Sequence, residues 1–161
     1  MSASRSYVVD SGNVSIGGTG ATPALYGTIA TGDLNIVGIR CSVAAGASPA
    51  PPTNGSILAW LGVVTGSVGG GATVTPSPTG QSSLAAVSTW KSGSTALTGL
   101  TQSTLKWSGD IAFAAGAIWG EWFPTSFERS VPNGGLIAVY FTAASGAGSN
   151  MLFHVSLEIA E

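Results

Sequence analysis

The segment MLFHVSLEIAE (Met151–Glu161) alternates apolar and polar side chains more regularly than any other part of the chain. Its odd-numbered residues are apolar as far as position 159, and His154, Ser156 and Glu158 lie between them. Successive side chains of a β-strand point to opposite faces of a sheet. This period of two therefore predicts a strand that packs one face into a core and turns the other to solvent.

Other segments rich in β-branched and apolar residues lie between turns that contain Gly, Pro or Asn, and we predict that they are strands as well. They are Ser6–Val9, Leu25–Ile29, Asp33–Ser42, Ser56–Thr65, Ala72–Thr75, Ile118–Phe123 and Leu136–Thr142. In Asp33–Ser42 the β-branched residues occupy both alternating positions. That pattern predicts a strand covered on both sides.

About eight short strands separated by loops indicate an all-β protein, an antiparallel β-sandwich or jelly roll with little or no helix. A short helix over Gln81–Lys91 is an alternative, because Leu84, Val87 and Lys91 have the spacing of one helical face. The Ser and Thr content of the same segment argues against that helix.

The chain of 161 residues has the size of one domain. The pieces on either side of its most flexible segment, Gly66–Gly71, are too short to fold independently. We therefore predict a single domain over residues 1–161. Gly66–Gly71 is expected to be a long loop between strands, as are Ser11–Thr22 and Ala143–Ser149.

The chain carries very few charges. Lys, Arg, Asp and Glu together make up 7% of its residues, against about 25% in ordinary soluble domains. Gly, Ser, Ala and Thr account for just over half of the chain. This composition predicts a surface of small neutral groups, or a surface covered by other chains. The five basic residues are scattered, so we expect no nucleic-acid partner, which would require clustered cations.

Three further features restrict the compartment and the chemistry. The longest apolar stretches, Ile57–Val64 and Ile111–Gly120, are much shorter than the roughly 18 residues that span a bilayer, so we expect no membrane partner. The first residues lack the apolar region of a secretory signal, which predicts synthesis in the cytoplasm without export. The single cysteine, Cys41, allows neither an intrachain disulfide nor a cysteine-based zinc site.

A nucleophilic site would have to use His154, the one histidine, together with Ser156 or Cys41. Nucleophiles normally occupy a strained turn or a helix N-terminus, where the reactive atom is free. His154 and Ser156 instead share the polar face of a predicted strand, so we interpret them as a half-exposed strand surface. Cys41 lies in an apolar strand and is expected to be a buried, unreactive thiol.

Carboxylates offer a second possible chemistry. Glu121 and Glu128 lie seven residues apart around Pro124, and a pair of carboxylates can hydrolyse a glycoside. The acidic residues are otherwise dispersed, and the potential His and Cys ligands are too few for a metal site. We predict no catalytic, cofactor-binding or metal site and no enzyme activity, with a hydrolase as the weaker alternative.

Aromatic residues are concentrated between positions 107 and 127, where Trp107, Trp119, Trp122 and Phe127 are candidate assembly contacts. Trp119 and Trp122 are three residues apart, so on an extended strand they face opposite sides of the sheet. One of them can fill the core while the other reaches the surface. An outward tryptophan among small neutral residues suits an assembly contact or stacking on a sugar ring.

Several short motifs occur along the chain in an order that resembles the order in a known protein family. The motifs are Gly38-Ile-Arg40, Pro51-Pro-Thr-Asn-Gly-Ser-Ile57, Gly71-Ala-Thr-Val-Thr-Pro76, Gly120-Glu-Trp-Phe-Pro124, Val131-Pro-Asn-Gly-Gly-Leu136 and Ser156-Leu-Glu-Ile-Ala-Glu161. Between about Thr28 and Glu161 the chain resembles the small jelly-roll head proteins of tailed bacteriophages, especially those of actinobacterial hosts. Some of these proteins decorate or cement the capsid.

The resemblance implies a virion structural protein that forms a homo-oligomer, a trimer by this analogy, on the capsid surface with the phage major capsid protein as its partner. The resemblance implies neither catalytic residues nor a cofactor for this chain. Residues 1–27 lie outside the resemblance and are expected to form an N-terminal arm or an additional edge strand. The alternative function is a carbohydrate- or surface-binding β-sandwich module of a phage tail or fibre.

Removal of residues 151–161 is expected to give insoluble or unfolded protein. Full burial of a large apolar side chain stabilises the folded state by about 1.5–3 kcal/mol. Four such side chains in this segment together contribute an amount comparable to the free energy of unfolding of a typical domain, which is roughly 5–15 kcal/mol. The measurement is solubility and thermal melting of fragment 1–150. A soluble fragment that melts cooperatively would show that this strand is not part of the core.

Overall fold

The computed structural model describes residues 5–16, 21–29, 32–50, 56–79, 85–93, 96–112, 116–123, 129–131, 134–143 and 149–161. These ranges contain twelve strands and no helix, which confirms the all-β prediction. In chain order the strands are β1 (Ser6–Ile16), β2 (Ala21–Thr28), β3 (Leu34–Ala50), β4 (Ser56–Gly69), β5 (Ala72–Val74), β6 (Ser77–Pro78), β7 (Thr89–Ser92), β8 (Ala96–Ala112), β9 (Ile118–Trp122), β10 (Arg129–Val131), β11 (Leu136–Ala143) and β12 (Ser149–Ala160).

The strands form two antiparallel sheets. Sheet A has the order β10-β3-β12-β1-β6, and β9 pairs with β3 along the same edge as β10. Sheet B has the order β5-β7-β2-β11-β4-β8. The eight longest strands pair first with last and inward from there, as β1 with β12, β2 with β11, β3 with β9, and β4 with β8. This nested pairing is the topology of a jelly roll, and the four short strands extend its sheets.

One core lies between the two sheets. The prediction for the last strand is confirmed, because Phe153, Val155, Leu157 and Ile159 are all fully buried. Phe153 meets Phe141 of β11 with ring centroids 4.3 Å apart and planes tilted by 31°. Aromatic pairs at such separations stabilise a core beyond their area of burial. This contact therefore joins the centre of sheet A to the centre of sheet B.

The prediction that Asp33–Ser42 is covered on both sides is wrong. Arg40 is exposed on the outer face of sheet A, whereas Ile36 and Ile39 are both buried in the core. In the register with β12, Ile36 and Gly38 oppose consecutive residues, so Val37 is an extra residue in a β-bulge. A bulge shifts the side-chain phase by one residue. Apolar residues from both alternating positions therefore face the same core.

Two segments expected to be loops are largely strands. β4 continues to Gly69, where Val68 pairs with Leu97, so most of Gly66–Gly71 is sheet. β1 continues to Ile16 and β2 begins at Ala21, within the expected loop Ser11–Thr22. Both segments consist mostly of Gly, Ser, Ala, Asn and Thr, so they carry little of the sequence signal of a strand. Ala143 ends β11, and residues 144–148 of the third expected loop lie outside the described residues.

The long strand β8 was not anticipated from the sequence, because three register shifts in its pairing with β4 interrupt the period of two. The alternative helix over Gln81–Lys91 is absent from the described part of that segment, where Thr89–Ser92 forms β7. Residues 80–84 lie outside the described ranges.

The N-terminal region belongs to the sandwich. Tyr7 and Val9 of β1 are fully buried, and β1 pairs with β12 along most of its length. Only the two-residue β6 lies beyond β1 in sheet A, whereas β2 is an inner strand of sheet B. Over Ser6–Ile16 and Ala21–Thr28 this region therefore forms strands of the two sheets rather than a free arm.

Part of the outer face of sheet B is covered by the chain itself. Tyr26, Ala138 and Tyr140 form a buried cluster separate from the core, and burial raises the pKa of both tyrosines. The Tyr26 hydroxyl donates a hydrogen bond of 2.6 Å to the carbonyl oxygen of Gly70, directly after β4. β8 also approaches β2, although β11 and β4 separate them in the sheet order. The end of the β4–β8 ribbon thus lies over this face.

A hydrogen-bonded chain ties the end of β12 to sheet B. The Trp90 indole is buried against Gly27, where a Cβ atom would overlap the ring, and its Nε1 donates 2.8 Å to Ser88 Oγ. Ser88 donates through its backbone N–H (3.0 Å) and its hydroxyl to Glu161 Oε1. The Val87 N–H donates 2.8 Å to Glu161 Oε2. One carboxylate therefore accepts three hydrogen bonds from the bend before β7.

Glu161→Gln is expected to lower the free energy of unfolding by about 1–3 kcal/mol, because the NH2 group that replaces one carboxylate oxygen cannot accept a hydrogen bond and the remaining oxygen is an uncharged, weaker acceptor. Glu158→Gln is the matched control, since no hydrogen bond or ion pair is described for that carboxylate; it should change the free energy by less than about 0.5 kcal/mol. Urea unfolding measures both. Equal effects would show that the Glu161 contacts do not stabilise the fold.

Candidate functional site

The outer face of sheet A carries a compact set of aromatic and polar side chains from β9, β3, β12 and β1. The strand registers align them in three rows across the sheet. The rows are Trp122–Gly38–Glu158–Val8, Gly120–Arg40–Ser156–Asp10 and Ile118–Ser42–His154–Asn13. We call these twelve residues the open face. Neighbouring strands lie about 4.8 Å apart, so residues adjacent in a row are in side-chain contact range.

Trp122 is the most exposed large hydrophobic residue of the described part of the chain, with 68% of its surface accessible, and Ile118 follows with 62%. The indole lies over Gly38 of β3, because a Cβ atom built on Gly38 would be 3.0 Å from Trp122 Cε3. A larger residue at position 38 would displace the ring. The glycine thus supports one face of the indole while the other remains open to solvent.

Beside the indole is a groove of about 430 Å³ that is lined by Arg40, Ser156 and Glu158 as well as by Trp122 and Ile118. In the part of the chain that the structure describes, neither Arg40 nor Glu158 forms an ion pair or a side-chain hydrogen bond. The groove therefore offers the donors of a guanidinium, the acceptors of a carboxylate and a hydroxyl group to a molecule outside the chain.

A second hollow of about 330 Å³ adjoins the groove and contains Asp10 and His154. His154 Nε2 lies 2.6 Å from Asp10 Oδ1, and about half of each side chain is exposed. Exposed pairs of this kind contribute little to stability. Asp10 Oδ1 also accepts the backbone N–H of Gly12 at 2.8 Å, within the bulge of β1, so its position is set by the backbone.

The arrangement does not assemble a nucleophilic triad among the described residues. His154 and Ser156 share the open face as predicted, yet the His154 ring is hydrogen-bonded to Asp10, and among the described residues it forms no hydrogen bond to Ser156 or Ser42. Cys41 lies on the opposite, core-facing side of β3, and burial raises the pKa of its thiol to about 12. A thiol with that pKa is protonated at neutral pH and is a poor nucleophile.

The predicted aromatic contacts have different environments. Trp119 packs against the core and Trp122 stands on the open face, as residues three apart in one strand must. The side chain of Trp107 and the whole of Phe127 lie outside the described residues. Their role as assembly contacts stays a prediction, and Trp122 is the one whose described side chain is available to another molecule.

Sequence reasoning missed that Arg40 joins Trp122 and Glu158 at one site. The polar alternation of β12 identified Ser156 and Glu158, but no sequence signal gave the register that places β3 and β9 beside them. Glu121 is exposed on the other side of β9, and Glu128 lies outside the described residues. The predicted carboxylate pair is therefore not defined by the structure.

The described residues contain no group of three or more His, Cys, Asp or Glu side chains placed to hold a metal ion. They also contain no helix with the length and apolar character needed to cross a membrane. Comparisons with protein-family models, with curated proteins and with solved structures found no match to this chain.

The midpoint of thermal melting is expected to be the same in EDTA, zinc, calcium and ATP. A ligand that binds the native state alone raises stability by mass action, and we predict no site for these ligands. Differential scanning fluorimetry across the four conditions measures the midpoint. A reproducible increase of several degrees with calcium would contradict the prediction and point to the carboxylates.

Proposed function

We propose that the protein is a virion structural protein, a jelly-roll decoration or cement protein that oligomerises on a phage head. The observation that carries the proposal is a jelly-roll topology built from a chain with 7% charged residues. Jelly rolls are used repeatedly in viral capsids, where copies of one domain pack side by side. Because one fold serves many functions, the proposal also rests on the sequence resemblance to phage head proteins.

The distribution of charge supports self-association. Twelve residues of the chain are Lys, Arg, Asp or Glu, and Asp10, Arg40 and Glu158 of these lie together on the open face. Nine remain for the rest of the molecule. Protein–protein interfaces exclude charged residues from their centres, and copies of a nearly neutral surface approach each other without electrostatic repulsion.

The unpaired strand edges of the described sheets also favour self-association. In the described sheets β8 pairs only with β4, so one long side of this 17-residue strand faces away from sheet B. Unpaired strand edges are ready to pair with another chain unless they are covered. Closed rotational symmetry covers such a surface on every copy and leaves no open end. The three-fold symmetry that we propose derives from the resemblance alone.

The location is tested directly on particles. Purified virions from the phage that encodes this chain are separated into heads and tails, and each fraction is analysed by quantitative mass spectrometry. We expect the protein in the head fraction at a fixed ratio to the major capsid protein. Recovery in the tail fraction alone, or absence from both, would overturn the capsid assignment.

The isolated protein is expected to be a stable oligomer held by apolar and neutral polar contacts. Raising the salt concentration from about 0.1 to 1 M shortens the Debye length from about 10 to 3 Å, and contacts with few ion pairs should survive this change. Light scattering coupled to gel filtration measures the mass. A monodisperse species of 15.9 kDa at micromolar concentration, stable for days, would contradict the proposal.

A further inference from the structure

We propose that the open face is a glycan-binding site that takes a gluco-configured pyranose, with Trp122 as the stacking platform and Arg40 and Glu158 as the hydroxyl-binding groups. This inference goes beyond the proposed structural role and does not depend on it. Its components are an exposed indole, two groups of opposite charge that have no partner among the described residues, and a groove that joins them.

The platform is held in place on one side only. Tryptophan is among the most buried residues on average, and here 68% of the Trp122 side chain is accessible while the ring lies over Gly38. A pyranose whose ring substituents are all equatorial has flat faces of axial C–H groups. Stacking such a face on the indole removes apolar surface of both molecules from water.

The polar groups match hydroxyl groups better than they match an ion. Glu158 lies on β12, next to Gly38 in the same row, about 4.8 Å from the strand beneath the indole. Arg40 lies in the neighbouring row of β3, two residues from Gly38. A guanidinium beside a carboxylate presents donors and acceptors with little net charge, and sugar hydroxyls donate and accept at once.

A second copy of the chain is the competing occupant, and the charges argue against it. The centres of protein–protein interfaces are depleted of charged residues, whereas the open face holds Asp10, Arg40 and Glu158 of a chain with twelve charged residues. Burying Arg40 and Glu158 without partners of good geometry would cost more free energy than it gained. A hydrated sugar leaves these groups in contact with water.

The test uses the full-length protein in its native oligomeric state, labelled with fluorotryptophan so that each of the five tryptophans gives its own NMR signal. Cellotriose and chitotriose, whose β-linked rings carry equatorial substituents, are the probes. We expect at least one probe to shift the signal that Trp122→Ala removes, with a dissociation constant on the order of 1 mM. Trp122→Ala should weaken binding at least about tenfold, and Glu158→Gln should weaken it as well.

Two further variants distinguish the effect of disturbing the Trp122 platform from the effect of a substitution elsewhere on the protein. Gly38→Ala keeps every polar group but puts a methyl group against the indole, so it should tilt the ring and reduce affinity. Val87→Ala removes an exposed apolar side chain away from the open face and should bind the probes as the wild-type protein does. Thermal melting of each variant verifies that it is folded.

The same samples are measured by light scattering, which keeps the two proposals distinguishable. Binding that is lost in Trp122→Ala while the wild-type mass is retained supports the glycan site. The inference is overturned if no probe shifts the Trp122 signal, if Trp122→Ala binds as well as wild type, or if that variant loses its oligomeric mass, since the open face would then be an interface. A wild-type protein that is monomeric yet binds a probe would overturn the structural role alone.

Discussion

Strand β12 lies between β3 and β1, so each of its side chains must point either into the core or onto the open face. Phe153, Val155 and Leu157 point into the core. The alternate residues Ser156 and Glu158 point outward and line the groove. Any change of register by one residue would exchange the two sets. The stability of the sandwich and the geometry of the open face therefore depend on the same alternation.

Two tryptophans lie over glycines of a neighbouring strand, and their surroundings make them different. Trp90 covers Gly27 in sheet B, is 1% exposed and donates its indole N–H to Ser88. Trp122 covers Gly38 in sheet A and is left open to solvent. In both pairs the glycine permits the ring to lie close to the backbone. The first pair closes the core near Glu161, and the second forms the platform on the surface.

The two outer faces of the sandwich also differ. The residues after β4 cover the aromatic cluster on sheet B, and Tyr26 donates its hydroxyl hydrogen to Gly70 there. Sheet A keeps three charged side chains and two exposed apolar ones on a face with grooves. A sandwich whose sheet B face is partly covered by its own chain and whose sheet A face is open can assemble through its other surfaces and still bind a small molecule on sheet A. That division of surfaces connects the proposed capsid role with the proposed glycan site.

The sequence by itself determined the all-β class, the position of the last strand and the separation of Trp119 from Trp122, because a period of two is a local property of the backbone. It also showed how little charge the surface carries. Only the tertiary structure decided that Val37 forms a bulge, that β8 is a long strand, and that Arg40 stands beside Trp122 and Glu158. Bulges and cross-strand neighbours are set by hydrogen bonds between segments that are far apart in the chain, and side-chain composition along one segment does not encode that register.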